Sequence, residues 1–290
     1  MQEFLSQGDR SQDFILEVEK VAYGYPDGTL ALQNINLQVP AGAKIALLGP
    51  NGAGKSTLFL HLIGLLQPKQ GCIRFRGMPI KYHKSALKEL RQQVGIVFQD
   101  PENQLFSANV WQEVSFGPMN LGWREQQVRQ RVQQAMELTD IVDLQDRPVH
   151  ALSYGQKKRV AIAGVLAMDP QVLIVDEPTV WLDQEHAGQI MEIFNRLNTS
   201  EGKTVILSTH DVDLAYSWAD YIYVLKGGQV IGQGTAQEIF SDVDLVERAA
   251  LALPWLVQMY QELRDKGWIA NATPLPTTRE KLFQLIPVKA

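Results

Sequence analysis

Residues 49–57 read Gly-Pro-Asn-Gly-Ala-Gly-Lys-Ser-Thr, which satisfies G-x-x-x-x-G-K-[ST]. This nonapeptide constrains the fold more than any other stretch of the chain. It needs a strand to deliver it and a helix to receive it, and both flanks comply. Residues 44–48 form a short apolar run, and residues 55–66 read as an apolar helix ending before Pro68. The glycines let the backbone curl until successive N–H groups face one anion, and the helix N-terminus adds its positive dipole end. Asn51, Gly52, Gly54, Lys55, Ser56 and Thr57 are thereby candidate contacts to a nucleoside triphosphate. Lys55 would reach the β- and γ-phosphates, and the Ser56 hydroxyl would ligate Mg²⁺.

A second constellation fits the first. Residues 172–175 are Val-Leu-Ile-Val, an uninterrupted apolar run that suits a strand buried on both faces, and they end in Asp176-Glu177. Carboxylates at the tip of a buried strand are costly unless they serve a cation or a proton. Asp176 is the candidate for the Mg²⁺ shell, and Glu177 for polarising an attacking water. Taken alone, the pair reads equally well as an acidic turn ahead of Pro178; the phosphate loop upstream favours chemistry.

Strand and helix periods alternate through most of the chain, which predicts an α/β fold. Residues 14–40 read as short strands around a Tyr-Pro-Asp-Gly turn at 25–28, and further strands are expected at 72–75, 95–98, 205–207 and 221–225. Residues 99–157 change character: they are rich in Gln, and Val128, Val132, Ala135 and Met136 recur at helical spacing, which suggests a helical insert. Ile190, Ile193, Phe194 and Leu197 mark one face of another helix. Beyond about residue 240 the prolines at 254, 274, 276 and 287 set a tail apart, and Thr277 with Glu280 fits a capping box opening a last helix.

Composition narrows the setting. The 290 residues are 45% hydrophobic and 20% charged, which suits globular protein. A membrane span needs ~20 nearly uncharged apolar residues, and the best stretch, 56–66, is far shorter. The first residues are polar and acidic, without the pattern of a signal peptide. Cys72 is the only cysteine, so an intrachain disulfide is excluded. The five histidines are scattered, with no partner at ligand spacing. A net charge of −5 speaks against a general nucleic-acid binder.

The remaining motifs name a family. Gln99 ends the 95–98 strand; Leu152-Ser153-Tyr154-Gly155-Gln156 precedes Lys157-Lys158-Arg159; Glu177-Pro178-Thr179, Leu182-Asp183 and Ser208-Thr209-His210-Asp211 follow. With the phosphate loop, this ordered set resembles the nucleotide-binding subunits of ABC transporters over about residues 14–235. The resemblance implies a P-loop NTPase fold with an antiparallel β subdomain, a helical subdomain (about 99–157) and a C-terminal extension (236–290). It implies that Tyr25, with Tyr23 as the fallback, stacks on adenine, and that Gln99 senses Mg²⁺ and the lytic water while linking to a membrane partner. Ser153, Gly155 and Gln156 would form the signature that binds the γ-phosphate held by an opposite subunit. Asp183 would lie at the dimer seam, and His210 would contact the γ-phosphate. Hence a dimer is expected, with a second such chain or a close homologue.

Two departures stand out. Tyr154 takes the place of a glycine in the signature, and Val180-Trp181 replaces a small residue followed by glycine. If that backbone needs φ > 0, Trp181 is strained, or it packs across the dimer seam. Residues 99–106 and 116–122 look like the energy-coupling-factor importers, and 152–168 are most similar to their cobalt and nickel branch. Those systems add a transmembrane coupling protein and a substrate-binding membrane protein, which would place this chain at the cytoplasmic face of the cell membrane. Trp111 and Phe116 would line a groove for a coupling helix, or simply fill core. Vitamin uptake by the same machinery is the alternative cargo. A soluble non-transport ABC ATPase is disfavoured by the lack of long heptads and of a second cassette, and a P-loop kinase has no use for the signature.

Overall fold

The computed structural model describes residues 14–270 and 273–286; the expectations about residues 1–13 and about Pro287 fall outside them. The central sheet has the order β10-β9-β3-β8-β7-β6, built from β3 (Lys44–Leu48), β6 (Val94–Val97), β7 (Val172–Asp176), β8 (Thr204–Thr209), β9 (Tyr221–Lys226) and β10 (Gln229–Gly234). Neighbours are parallel from β9 through β6, and β10 closes the edge antiparallel. All five residues of β7 are buried, as its apolar run anticipates.

The period of two along these strands divides the interior into two cores. Ile45, Leu47, Val172, Ile174, Ile206 and Tyr223 face one side. Ala46, Leu48, Leu173, Val175, Val205 and Leu207 face the other. The first core is closed by a four-stranded antiparallel sheet of order β2-β1-β4-β5, formed by β1 (Phe14–Gly24), β2 (Leu30–Pro40), β4 (Gln70–Phe75) and β5 (Met78–Pro79). The turn between β1 and β2 is the Tyr-Pro-Asp-Gly segment: Gly28 N–H donates to the Tyr25 carbonyl (3.1 Å), and Asp27 Oδ1 accepts from Thr29 N–H (2.9 Å).

Helix α1 (Lys55–Leu62) lies in this core. It ends a turn before residue 66, because Leu65 and Leu66 N–H both return to the Leu60 carbonyl and close the C-terminus. Helix α2 (Lys84–Gln93) leads into β6. The second core holds the helices. These are α3 (Val110–Leu121), α4 (Glu125–Leu138), α5 (Tyr154–Leu166), α6 (Gln184–Glu201) and α7 (Val212–Trp218). Val128, Val132, Ala135 and Met136 of α4 are buried, as their spacing predicts. The stretch 99–157 is only partly helical, however. Residues 139–153 are turns and short 3₁₀ segments, and α5 starts inside the stretch and runs nine residues past it to Leu166.

The tail forms α8 (Ala236–Ser241), α9 (Val243–Ala249), α10 (Trp255–Asp265) and α11 (Arg279–Leu285), which cover the second core with Phe240, Val257 and Leu282. Tyr216 of α7 donates its hydroxyl to the Pro276 carbonyl at 2.6 Å, binding the tail to the cassette. The cap of α11 is Thr278 rather than Thr277: Thr278 is extended, and its Oγ1 accepts from Lys281 N–H at 3.2 Å. This shifts the third helical position to Lys281, which has no acceptor to complete a capping box.

Candidate functional site

The phosphate loop runs between β3 and α1, and its glycines are required by close approach. A Cβ on Gly49 would sit 2.2 Å from the Leu225 carbonyl oxygen, and one on Gly54 2.7 Å from that of Ala31. Gly54 also takes φ +102° as the residue opening α1, and no side chain caps that helix. The first-turn N–H groups therefore stay free for a ligand. Lys55 is only 6% exposed. Its ammonium donates to the carbonyls of Gly49 (2.6 Å) and Pro50 (3.3 Å). Asn51, Gly52 and Ser56 are exposed, and Thr57 is half-buried with its Oγ1 3.1 Å from the Tyr25 hydroxyl. Tyr25 thus reaches the phosphate loop. Tyr23 instead packs edge-on against His61 (4.6 Å) under the Lys69 ammonium.

The end of β7 delivers the carboxylates. Asp176 and Glu177 are buried beside the loop. The Ser208 hydroxyl serves both residues, accepting from Glu177 N–H at 2.9 Å and donating to Asp176 Oδ1. Glu177 has φ +45°, a conformation that side-chain residues adopt at a cost and that clusters at functional sites. Its Oε2 lies 3.1 Å from His210 Nδ1. Its Oε1 lies 3.3 Å from the Lys55 ammonium, an ion pair without hydrogen-bond geometry, and has no hydrogen-bond donor. A buried carboxylate oxygen in that condition still has a place for a hydrogen-bond donor from outside the chain.

The residues suit Mg²⁺. Ser56, Asp176 and Gln99 can each offer an oxygen donor, and a hard cation that keeps waters and takes phosphate oxygens needs few protein ligands. Among the described residues no group of three or more His, Cys, Asp or Glu side chains is placed to hold a metal by itself.

The signature forms a second cluster. Ser153 caps α5 through a reciprocal box: its Oγ accepts from Gln156 N–H (3.3 Å), and Gln156 Oε1 accepts from Ser153 N–H (3.0 Å). Gly155 lies against the next loop, where an added Cβ would meet the His186 ring at 3.2 Å. Asp183 caps α6, accepting from His186 N–H (2.9 Å) and its ring Nδ1 (2.8 Å). Those two bonds hold its carboxyl below the usual range. Trp181 takes φ +63°, the left-handed region that its place in the motif anticipates. Among the described residues no hydrogen bond or ion pair joins Ser153, Gly155 or Gln156 to residues 49–57.

Gln99 lies two residues beyond β6, not at its end. Its carbonyl accepts from the Lys158 ammonium (2.7 Å) and the Tyr154 hydroxyl (3.2 Å). Lys158 is fully buried; burial pushes its ammonium down to about 8, against the pull of Asp176, Asp100 and Glu177. Sequence reasoning assigned no role to Lys158 or Ser208. A charged residue at a core position of an otherwise apolar helix face was the available signal for Lys158. On the outer face of the helical region, Phe106, Phe116 and Met119 are exposed, with Phe106 and Phe116 edge-to-face at 4.6 Å. Trp111, expected beside Phe116, packs against the core under Arg129.

A family model described as ABC transporter matches residues 32–180. The chain belongs to the ABC transporter ATPase family. It is an ATP hydrolase of that family. An energy-coupling factor transporter ATP-binding protein, EcfA, of Methanocaldococcus jannaschii is 47% identical over 253 residues, covering 87% of this ABC chain and 90% of that one. Among solved structures, CbiO1 of Clostridium perfringens, described as part of the ABC transporter complex CbiONQ, is 46% identical. It superposes with a TM-score of 0.74 over 86% of this chain and 99% of that one. The ATP-binding cassette MJ0796, solved as a dimer after hydrolysis with ADP and phosphate, gives 0.70 at 28% identity, covering 76% and 98%. The chain spans only 56% of the length of one further, longer relative.

Proposed function

We propose that this ABC ATPase is the energy-coupling subunit of an energy-coupling-factor importer, working at the cytoplasmic face of the membrane on separate transmembrane coupling and substrate-binding proteins. No described helix is long and apolar enough to cross a membrane, so the span would come from those proteins. The observation that carries the reading is the division of the site. One cluster has an open phosphate loop and a poised carboxylate, and the other has a signature turn that meets no phosphate loop of its own chain. Two chains, identical or homologous, would complete each other when each signature faces its partner's phosphate loop; that the MJ0796 cassette is dimeric with ADP and phosphate supports pairing. Residues 14–235 would serve as the ATPase unit and 236–290 as an extension, whose described helices pack on it. The exposed Phe106, Phe116 and Met119 surface would receive the coupling protein. The likeness to CbiO1 favours cobalt or nickel as the cargo over a vitamin.

The chemistry follows from the contacts. Incoming β- and γ-phosphates offer Lys55 better acceptors than the Gly49 and Pro50 carbonyls. Tyr25 turns its ring to the adenine. Bound Mg²⁺, held by Ser56 with Asp176 and Gln99 around it, would neutralise charge on the β- and γ-oxygens. Glu177 Oε1, lacking a donor, accepts a hydrogen bond from the attacking water and takes its proton, while His210 holds Oε2 and faces the γ-phosphate. Ser153, Gly155 and Gln156 of one chain bind the γ-phosphate on the other, and Asp183 stands at the seam.

The test uses Glu177→Gln in the full chain, co-expressed with its membrane subunits. Turnover should fall about 10²- to 10⁴-fold while ATP binding survives, and MgATP should drive a stable pair of ATPase subunits, read by light scattering. Near-normal turnover, or subunits that stay unpaired at saturating ATP, would sink the reading. Uptake of labelled cobalt or nickel against a vitamin panel then decides the cargo.

A further inference from the structure

The two places where this chain departs from the family's signature and following loop touch each other. Tyr154 stands where a glycine is usual, and so does Trp181; their rings meet edge-to-face, 5.7 Å apart at 77°. The Tyr154 hydroxyl also reaches the Gln99 carbonyl, 55 residues away. A glycine at 154 would make neither contact.

We propose that Tyr154 is a positioning residue for ATP hydrolysis. Its hydroxyl holds the Gln99 carbonyl and its ring holds Trp181, so that the Gln99 segment, the signature turn and the 180–183 loop of one subunit move as a single body.

Several features around Tyr154 agree with this. Lys158 lies one helical turn on from Tyr154, on the same face of α5, and donates to the same carbonyl at 2.7 Å and to that of Phe98 at 3.1 Å. Lys157 pairs with Glu102, on the far side of the Gln99 segment. On the other flank, Gly155 lies against the His186 ring, and His186 is bonded to Asp183. Burial, with the charges of Asp100 and Glu102, pushes the Tyr154 hydroxyl up to about 12, so it keeps the proton it donates. Trp181 holds a left-handed backbone conformation that costs energy for a side-chain residue, and its ring contact offsets part of that cost. A signature turn drawn toward a partner's nucleotide would therefore carry Gln99 with it.

The inference rests on the reading that Gln99 serves the ATP site, and the experiment separates the two. Tyr154→Phe keeps the ring on Trp181 and leaves the Gln99 carbonyl satisfied by Lys158, so the fold should persist. Steady-state ATPase assays on the assembled transporter would compare Tyr154→Phe, Gln99→Ala and the double variant. The expected result is a kcat about three- to tenfold lower for Tyr154→Phe, with KM for ATP unchanged and a thermal midpoint lowered by no more than the loss of one hydrogen bond. In the Gln99→Ala background the same substitution should have no further effect. A merely structural tyrosine would cost the same factor in both backgrounds, which overturns the proposal, as does a Tyr154→Phe variant with parental kcat. If Gln99→Ala itself leaves turnover unchanged, the assignment of Gln99 to the ATP site fails, and the proposal with it.

Discussion

Two helices of this protein open at the residues that the proposed function sets against phosphate, and they are built in opposite ways. Helix α1 opens on Gly54 with no side-chain cap, and the nearby cation, Lys55, is parked on backbone carbonyls and beside Glu177. Helix α5 opens on Ser153 with a complete capping box. An uncapped N-terminus leaves donors that a ligand must satisfy, whereas a capped one is self-sufficient. The difference suits the proposed division of labour: α1 would receive nucleotide within its own chain, while α5 would stay closed until a partner's nucleotide arrived and competed for the Ser153 hydroxyl.

The largest test strikes α1. Lys55→Met removes the charge that the phosphates need, so nucleotide affinity should fall about 100-fold or more, read by fluorescent-nucleotide titration. The same change leaves Glu177 buried without its cation, which should lower stability by about 3–5 kcal/mol in urea melts without nucleotide. Adding Glu177→Gln removes that unpaired charge. The double variant should regain stability and still bind ATP poorly. If affinity also returned, Lys55 would matter only as a counter-ion, and the contrast between the two helices would fail.

A smaller test separates the two uses of Ser153. Aspartate caps helices as well as serine does, whereas alanine costs about 1 kcal/mol. Stability should therefore rank wild type with Ser153→Asp, above Ser153→Ala. Turnover should rank differently, with Ser153→Asp the slowest, about tenfold or more below wild type, because its carboxylate faces a phosphate across the dimer. A fully active Ser153→Asp would show that α5 never meets phosphate.

How much of this was legible in the sequence follows from the range of each interaction. The phosphate loop is contiguous, so its residues declare their chemistry together. The buried β-strands announce themselves through unbroken apolar runs, and Ser153 and Gln156 sit at capping-box spacing. The contacts that organise the signature side are not of this kind. Tyr154 and Lys158 meet Gln99 across 55 and 59 residues, and Ser208 reaches Asp176 and Glu177 across 32 and 31. Only the fold brings these groups together. The misplaced cap at Thr277 has a local cause: two adjacent threonines are chemically equivalent, and the extended backbone at Thr278 decides between them.

The smallest expected effect tests the strain on the signature side. Trp181→Gly relieves a left-handed conformation worth about 1 kcal/mol, but it also removes an aromatic pair worth about 0.5–1.5 kcal/mol. In the wild-type background the two terms oppose each other, and the urea midpoint should barely move. In a Tyr154→Gly background the pair is already gone, so the same substitution should stabilise by about 1 kcal/mol. Equal effects in both backgrounds would mean that the Tyr154–Trp181 contact contributes nothing. The signature side would then be held by its capping box, Lys158 and the Tyr154 hydroxyl without help from Trp181, and the strained backbone at Trp181 would need a partner subunit, rather than Tyr154, to offset it.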